Sequence, residues 1–157
     1  MGDVSFRRAL LGDARGIARN IFPTHDPKEV FENIELCLKD DDVALFVGEL
    51  KGEMVGHVQI ELMGSPRLHV ARIYSFLVAE RTRRKGIGTR MIGFVESWAH
   101  DEGIELLLLE VYPENNPGIS FYTRHGFLRY GYLPSGSKFQ NGQYSDEIMM
   151  YKWLGKG

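Results

Sequence analysis

The chain has 157 residues, which is enough for one domain with a buried core. Its 43% hydrophobic and 25% charged residues are the balance of an ordinary soluble globular protein. A formal net charge of -2 gives no general attraction to nucleic acid or to an anionic membrane, so any basic site must be a local cluster. Cys37 is the one cysteine, which excludes an intrachain disulfide, and we expect it to be a core residue. Residues 1–10 contain no apolar signal region, so we expect a cytoplasmic protein.

The first part of the chain predicts one strand followed by two helices. Residues 4–9 alternate weakly and can form a strand, and Asp13 is placed to cap a short helix that ends near Ile21. Two prolines interrupt the pattern before a second helix, predicted from about Lys28 to Lys39. Apolar residues at helical spacing form the predicted inner stripe of that helix: Val30, Phe31, Ile34, Cys37 and Leu38.

Strands and helices then alternate to the end of the chain. Residues 43–50 and 54–62 predict a hairpin around Gly52, and residues 70–79 predict the next strand. The later pattern predicts a helix over 86–102, a strand over 106–111, a helix between Pro117 and Gly126, and a strand over 144–154. The predicted order is β-α-α-β-β-β-α-β-α-β-β, a mixed α/β sheet in a single domain over residues 1–157.

A basic, glycine-containing segment joins the strand at 70–79 to the helix that follows it. Four of the five residues in 81–85 are cationic, and Gly86 and Gly88 let backbone N–H groups approach a ligand. The first turn of a helix adds unpaired N–H groups and a partial positive charge, which together favour a phosphate. A tight turn beside solvated cations is the alternative, but the order of strand, basic loop, glycines and helix favours a phosphate site. The spacing fits neither a Walker A loop nor a dinucleotide-binding loop.

This segment resembles the signature of the GNAT superfamily of N-acetyltransferases, [Q/R]-x-x-G-x-[G/A] after a strand that ends in Val. Arg83-Arg84-Lys85-Gly86-Ile87-Gly88 fits every position of that signature. The resemblance implies that backbone amides around Arg84 to Thr89 bind the pyrophosphate of acetyl-CoA. It also implies that the strand near Phe76 to Val78 pairs with the pantetheine arm. The implied cofactor-binding residues are Phe76, Leu77, Val78, Arg83, Arg84, Lys85, Gly86, Ile87, Gly88, Thr89, Asn115 and Tyr122.

A second block, from Leu109 to Phe127, is similar to the family's pattern of L-E-V, a later Asn, and a helix that ends in [F/L]-Y-x-x-x-G-F. The resemblance implies that Tyr122 lies beside the CoA sulfur and protonates the departing thiolate, and that Asn115 bonds to the cofactor. Core packing of Tyr122 and simple turn chemistry at Asn115 are the structural alternatives. Gly118 departs from the pattern, since many members have Ala there, and we expect only a small loss of helix stability.

Glu110 is the candidate base that takes the proton of the attacking amine. It interrupts an apolar strand, where burial would raise its pKa toward the range useful for a base. The match to the ribosomal-protein alanine N-acetyltransferase branch of the family implies that role, directly or through water. The strand before the glycines offers no carboxylate at residues 73–76, which favours Glu110 further. A strand-end glutamate held by a nearby Arg is the equally weighted alternative.

The resemblance implies a GNAT-type fold, a mixed and mostly antiparallel sheet flanked by helices. CoA would lie where two parallel strands, near 70–79 and 105–112, splay apart. The implied activity is acetyl transfer from acetyl-CoA to a primary amine of a small molecule or a protein or peptide, in a homodimer. We expect no metal, because the five histidines lack ligand spacing. A non-catalytic acyl-CoA sensor of the same fold and a different phosphate-ligand binder are the rival hypotheses.

Overall fold

The computed structural model describes residues 2–156, which form a seven-stranded sheet with helices on both faces. The strands are β1 (Ser5–Arg8), β2 (Val43–Leu50), β3 (Glu53–Leu62), β4 (Val70–Val78), β5 (Leu106–Val111), β6 (Leu128–Lys138) and β7 (Tyr144–Trp153). The helices are α1 (Ala14–Asn20), α2 (Pro27–Lys39), α3 (Ile87–Asp101) and α4 (Asn116–Arg124). The order of helices and strands predicted from the sequence is confirmed.

The strands lie in the spatial order β1-β2-β3-β4-β5-β7-β6. Within residues 2–156 every neighbouring pair is antiparallel except β4 and β5, which are parallel and are connected through α3. A parallel pair needs such a crossover, whereas antiparallel neighbours can be joined by a short turn. The predicted mixed, mostly antiparallel sheet is therefore confirmed.

Each face of the sheet has its own apolar core. The larger core lies between the sheet and α3, whose stripe of Met91, Ile92, Val95 and Ala99 packs on alternate residues of the central strands. The smaller core lies on the opposite face, where α1 and α2 cover β2 and part of β3. The cavity described below opens on this second face, between α2 and strands at the other end of the sheet.

Two local predictions in the first helices hold only in part. Asp13 occupies the N-cap position of α1, but its carboxylate accepts hydrogen bonds from the Leu10 amide at 2.8 Å and from Arg7 at 2.7 and 2.9 Å rather than from α1. Phe31 and Leu38 do not belong to the buried stripe of α2, since they are 42% and 39% exposed. The buried residues of α2 are Val30, Ile34 and Cys37, a narrower stripe than the sequence predicts.

Candidate active site

The two parallel strands stop pairing halfway along β4. Their register runs from Val70 opposite Leu106 to Ile73 opposite Leu109, while β4 itself continues to Val78. In the part of the chain that the structure describes, residues 75–78 have a strand partner only on the β3 side. The backbone of this segment therefore presents a free edge toward the gap. The predicted splay of the parallel strands is confirmed.

A β-bulge in β4 lies at the same point. Gln59 pairs with Ser75 but its neighbour Ile60 pairs with Ile73, so Tyr74 is an extra residue on β4. An extra residue switches the faces of all the side chains that follow it. As a result Ser75 shares a face with Gln59, and Phe76 packs against the larger core on the opposite face.

The basic turn after β4 has the backbone geometry of an anion-binding loop. Arg84 and Gly86 both adopt positive φ, 63° and 79°, in the left-handed region. Residues 83–86 are exposed, and the chain is anchored immediately afterwards by Ile87, which is 2% exposed and packs on Val55. The helix α3 begins there, and its first N–H groups have no intrahelical acceptor. The exposed cations and these amides face solvent at one end of α3, which suits a phosphate.

Close packing holds this turn against β4 and α4. The Arg83 Nε donates a hydrogen bond to the Val78 carbonyl oxygen at 3.0 Å, which ties the turn back to the free edge of β4. A Cβ added at Gly88 would lie 3.2 Å from the Phe121 ring of α4. Glycine at this position therefore permits α3 and α4 to approach each other beside the gap.

Tyr122 lies on α4 and packs beside the free part of β4. Its ring centroid is 6.0 Å from that of Phe76 and 5.5 Å from that of Phe127, both with edge contacts. Burial raises the pKa of the Tyr122 hydroxyl, which makes the group a weaker acid than a free tyrosine. The hydroxyl is protonated at neutral pH and can donate a hydrogen bond to a group in the gap.

Asn115 caps α4 in this structure. Its side-chain oxygen accepts a hydrogen bond from the Gly118 amide at 3.0 Å, and Pro117 occupies the first turn, where it needs no hydrogen-bonded N–H. A Cβ at Gly118 would lie 2.5 Å from the Asn115 amide nitrogen. The expectation that glycine here only weakens the helix is incomplete, because glycine also makes room for the capping side chain.

Glu110 follows the last residue of β5 that pairs with β4, so its carboxylate lies where the strands diverge. Arg72 Nη1 is 3.5 Å from Glu110 Oε1, and Arg72 Nη2 is 2.7 Å from Glu61 Oε2. Burial raises the pKa of Glu110, the Arg72 charge opposes that rise, and the charges of Glu147 and Glu61 add to it. Glu110 is held by an Arg and its pKa is raised, so its role as base stays a prediction.

A cavity of about 600 Å³ opens beside Glu110 on the face that carries α1 and α2. Its walls come from α2, β3, β4, β5 and the hairpin of β6 and β7. The polar lining includes His57, Arg72, Ser75, Glu110, Ser137 and Glu147. Tyr122 packs on the other face with the larger core, so the gap between β4 and β5 separates Glu110 from Tyr122.

His57 is a buried polar residue in the wall of this cavity. It is 3% exposed, its Nδ1 is 3.4 Å from the Ser75 hydroxyl, and its ring lies edge-on to Phe22 at 5.3 Å. Burial lowers the pKa of His57 to about 4, so the imidazole is neutral at physiological pH. It adds hydrogen-bonding capacity to the cavity without adding positive charge.

His57, Arg72 and Glu147 line the cavity but were not predicted from the sequence as residues of the site. A usable signal was present, because His57, Gln59 and Glu61 alternate with apolar residues along β3 and so share one face. The alternation of polar and apolar residues along β3 does not show which helices cover the polar face. The bulge at Tyr74, which decides the faces of the later β4 side chains, has no signal in the sequence. Within residues 2–156 no group of His, Cys, Asp and Glu side chains is arranged to hold a metal ion, and no helix is long and apolar enough to span a membrane.

A comparison with protein families identifies residues 9–127 with the acetyltransferase (GNAT) family. The chain belongs to the GNAT family of acetyltransferases. The matched range contains the basic turn, Glu110 and Tyr122, and it covers more than half of the chain. The resemblance stated from the two motifs is thereby confirmed.

The sequence relatives include two named N-acetyltransferases. The chain is 29% identical to the L-amino acid N-acetyltransferase AaaT of Escherichia coli over 107 residues, which is 64% of this chain and 62% of that protein. It is 34% identical to an N-alpha-acetyltransferase of Sulfurisphaera tokodaii over 99 residues, 57% of this chain and 59% of that protein. The chain therefore matches less than two thirds of the length of these relatives.

Solved structures share the whole fold at low sequence identity. A spermidine N-acetyltransferase SpeG chimera from Vibrio cholerae and hSSAT superposes with a TM-score of 0.82 at 21% identity, covering 98% of this chain and 96% of that chain. The ribosomal-protein-S18-alanine N-acetyltransferase of Escherichia coli superposes with a TM-score of 0.77 at 18% identity, covering 99% and 96%. At these identities the likeness establishes the fold.

Proposed function

We propose that this GNAT acetyltransferase moves the acetyl group of acetyl-CoA to a primary amine, with Glu110 as base and Tyr122 as general acid. The position of these two side chains carries the proposal. Glu110 lines a cavity on one face of the sheet and Tyr122 packs on the other, on either side of the gap between β4 and β5. A thioester held in that gap would meet an amine from one side and a proton donor from the other.

The chemistry assigns one proton transfer to each residue. The neutral amine nitrogen forms a bond to the acetyl carbon, the carbon–sulfur bond breaks, and the products are an amide and CoA. Glu110 accepts the proton that converts the protonated acceptor to this neutral amine, directly or through water, and its raised pKa suits that task. Tyr122 donates a hydrogen bond and then its proton to the departing thiolate. The second proton, which the nitrogen releases as the amide forms, replaces the one that Tyr122 gives up.

The residues present fit acetyl-CoA as the donor. Positive φ at Arg84 and Gly86 turns the chain so that amides at the start of α3 are presented to an anion. The free edge of β4 from Phe76 to Val78 offers backbone groups to a pantetheine arm. Asn115 is proposed as a further contact, in addition to its capping bond. The proposed binding residues are those that the resemblance implies, from Phe76 to Val78, from Arg83 to Thr89, Asn115 and Tyr122.

A homodimer and a cytoplasmic location are part of the same proposal, supported by the family resemblance and by the composition. The rival reading, a sensor that binds acyl-CoA without turnover, has the same fold and the same phosphate turn. Retention of both Tyr122 and Glu110 at the gap favours the enzyme.

Thiol release from acetyl-CoA, measured across a panel of amines, amino acids and peptides, tests the proposal. We expect release that depends on both the protein and an amine acceptor. Binding of acetyl-CoA with no release in any acceptor would favour the sensor. Absence of binding as well would overturn the proposal altogether.

A further inference from the structure

The cavity beside Glu110 carries an excess of negative charge. Three carboxylates line it, from Glu29 on α2, Glu110 on β5 and Glu147 on β7, against the single guanidinium of Arg72 among the described lining residues. His57 is neutral there at physiological pH because burial lowers its pKa to about 4. Carboxylates on two opposite walls of one cavity attract a cation that enters between them.

The Arg72 charge is already matched within the protein. Glu61 on β3 pairs with Arg72 at 2.7 Å, and Glu110 on β5 lies 3.5 Å away on its other side. The Nε–H is buried and has no partner in the described part of the chain, and each terminal nitrogen keeps a second N–H. The two carboxylates of Glu61 and Glu110 outnumber the single Arg72 charge, so the group as a whole repels the carboxylate of an acceptor.

Glu147 provides a second negative site a short distance from Glu110. Met149 is opposite Glu110 in the antiparallel pair of β5 and β7, and Glu147 lies two residues earlier on β7. It therefore points to the same face at a diagonal position, a spacing of about 7–8 Å between backbones. The Ser137 hydroxyl donates to Glu147 Oε1 at 2.6 Å and fixes that carboxylate in the cavity wall. Two carboxylates so placed repel each other until a cation lies between them.

We propose that the acceptor is a small diamine or polyamine that has no carboxylate beside its reacting amine. One amino group reaches Glu110 at the gap and gives up its proton there, while a second, charged amino group remains paired with Glu147 and Glu29. A volume of about 600 Å³ accommodates a molecule of that size. This inference rests on the proposed acetyl transfer and specifies the substrate class of the same site.

Matched acceptors separate the contribution of each charge. Cadaverine and lysine differ by one carboxylate, and so do agmatine and arginine, while pentylamine is cadaverine without its second amine. We expect kcat/KM for cadaverine to exceed that for lysine and for pentylamine by at least about tenfold, which corresponds to about 1.4 kcal/mol. Equal or better turnover of lysine, or of a peptide, would overturn this inference and leave acetyl transfer intact. No thiol release with any amine would instead overturn the proposed function.

The variant Glu147→Gln tests the proposed contact between Glu147 and the second amino group of the acceptor. Glu32→Gln, which removes the same charge from the exposed face of α2, is the control. Gln keeps an oxygen that can accept from Ser137. We expect Glu147→Gln to raise KM for cadaverine about tenfold, to change pentylamine kinetics little, and to leave the thermal midpoint near that of Glu32→Gln. Equal effects of Glu147→Gln on cadaverine and pentylamine would contradict a pairing with the second amine.

Discussion

Arg72 Nη1 lies 3.5 Å from Glu110 Oε1 at the place where β4 and β5 stop pairing. The second terminal nitrogen of Arg72 bonds to Glu61, so one guanidinium bridges carboxylates on the strands at either side. Its charge opposes the rise in the Glu110 pKa that burial causes. The pKa of the proposed base is therefore a balance between desolvation and one ion pair.

Removal of the Arg72 charge should raise the pKa of Glu110. In Arg72→Gln the pKa of Glu110 loses its main lowering influence and rises, so the acid limb of the kcat/KM profile moves to higher pH. Arg72→Lys keeps the charge and should move the limb less. If the acid limb of the kcat/KM profile of Arg72→Gln lies at the same pH as that of the parent, Glu110 is not the group that titrates in the reaction.

Replacement of Glu110 by Gln preserves size and removes the basic oxygen. We expect Glu110→Gln to be slow at neutral pH and to recover partly at high pH, where the amine arrives already deprotonated. The exposed Glu114→Gln, in the same segment, provides the control and should follow the parent. A Glu110→Gln enzyme that loses activity uniformly at every pH would assign Glu110 a structural role, with Glu61 or water as the base.

The proton of Tyr122 is tested by Tyr122→Phe, which keeps the ring that packs on Phe76 and Phe127. General acid catalysis contributes about 10²–10⁴-fold, so kcat should fall on that scale while acetyl-CoA affinity stays similar. Tyr144→Phe removes a hydroxyl from a side chain that is 61% exposed and serves as the control. Unchanged kcat in Tyr122→Phe would mean that the residue only packs.

Substitutions at two glycines of α3 test whether the basic turn before this helix binds the pyrophosphate of acetyl-CoA. Gly88→Glu adds bulk and negative charge in the first turn of α3, where its Cβ would also meet Phe121 at 3.2 Å. Gly93→Glu makes the same change at an exposed position with open space around it. Calorimetry should show acetyl-CoA binding to the parent and to Gly93→Glu, and little or none to Gly88→Glu. Equal affinities of all three proteins for acetyl-CoA would contradict binding of its pyrophosphate at this turn.

His57 should make the fold sensitive to mild acid. Its pKa is about 4 in the folded protein against 6.5 as a free side chain, so between those values the unfolded chain binds more protons. The free energy of unfolding therefore falls as pH drops from 6.5, by about 3 kcal/mol at pH 4. Urea titrations of the parent and His57→Gln should show a steeper loss in the parent over this range. If the free energy of unfolding falls equally with pH in the parent and in His57→Gln, then His57 takes up its proton in the native protein over the same pH range as in the unfolded chain.

The order of elements and the position of the glycine turn before α3 could be predicted from the sequence because both depend on local patterns. Helical spacing of apolar residues identified α3, and Gly86 and Gly88 after a strand identified the turn at its start. The second motif likewise located α4 between Pro117 and Gly126. Each of these signals lies within a short stretch of chain.

Features that depend on distant contacts were not predicted. The bulge at Tyr74 is a matter of register between β3 and β4, and it decides that Ser75 faces the cavity. Arg72 became part of the site through partners on two other strands. The exposure of Phe31 follows from how α2 lies on the sheet, which helical spacing within α2 does not specify.

Acetyl transfer itself is tested most directly with acetyl-CoA labelled in its acetyl carbonyl carbon. The parent protein is incubated with this donor and an amine acceptor, and the products are identified by NMR and mass spectrometry. The account predicts a labelled amide that forms only with protein present, in equal amount to free CoA thiol, and much more slowly with Tyr122→Phe. Label that stays in acetyl-CoA, or that appears only as acetate, would contradict it.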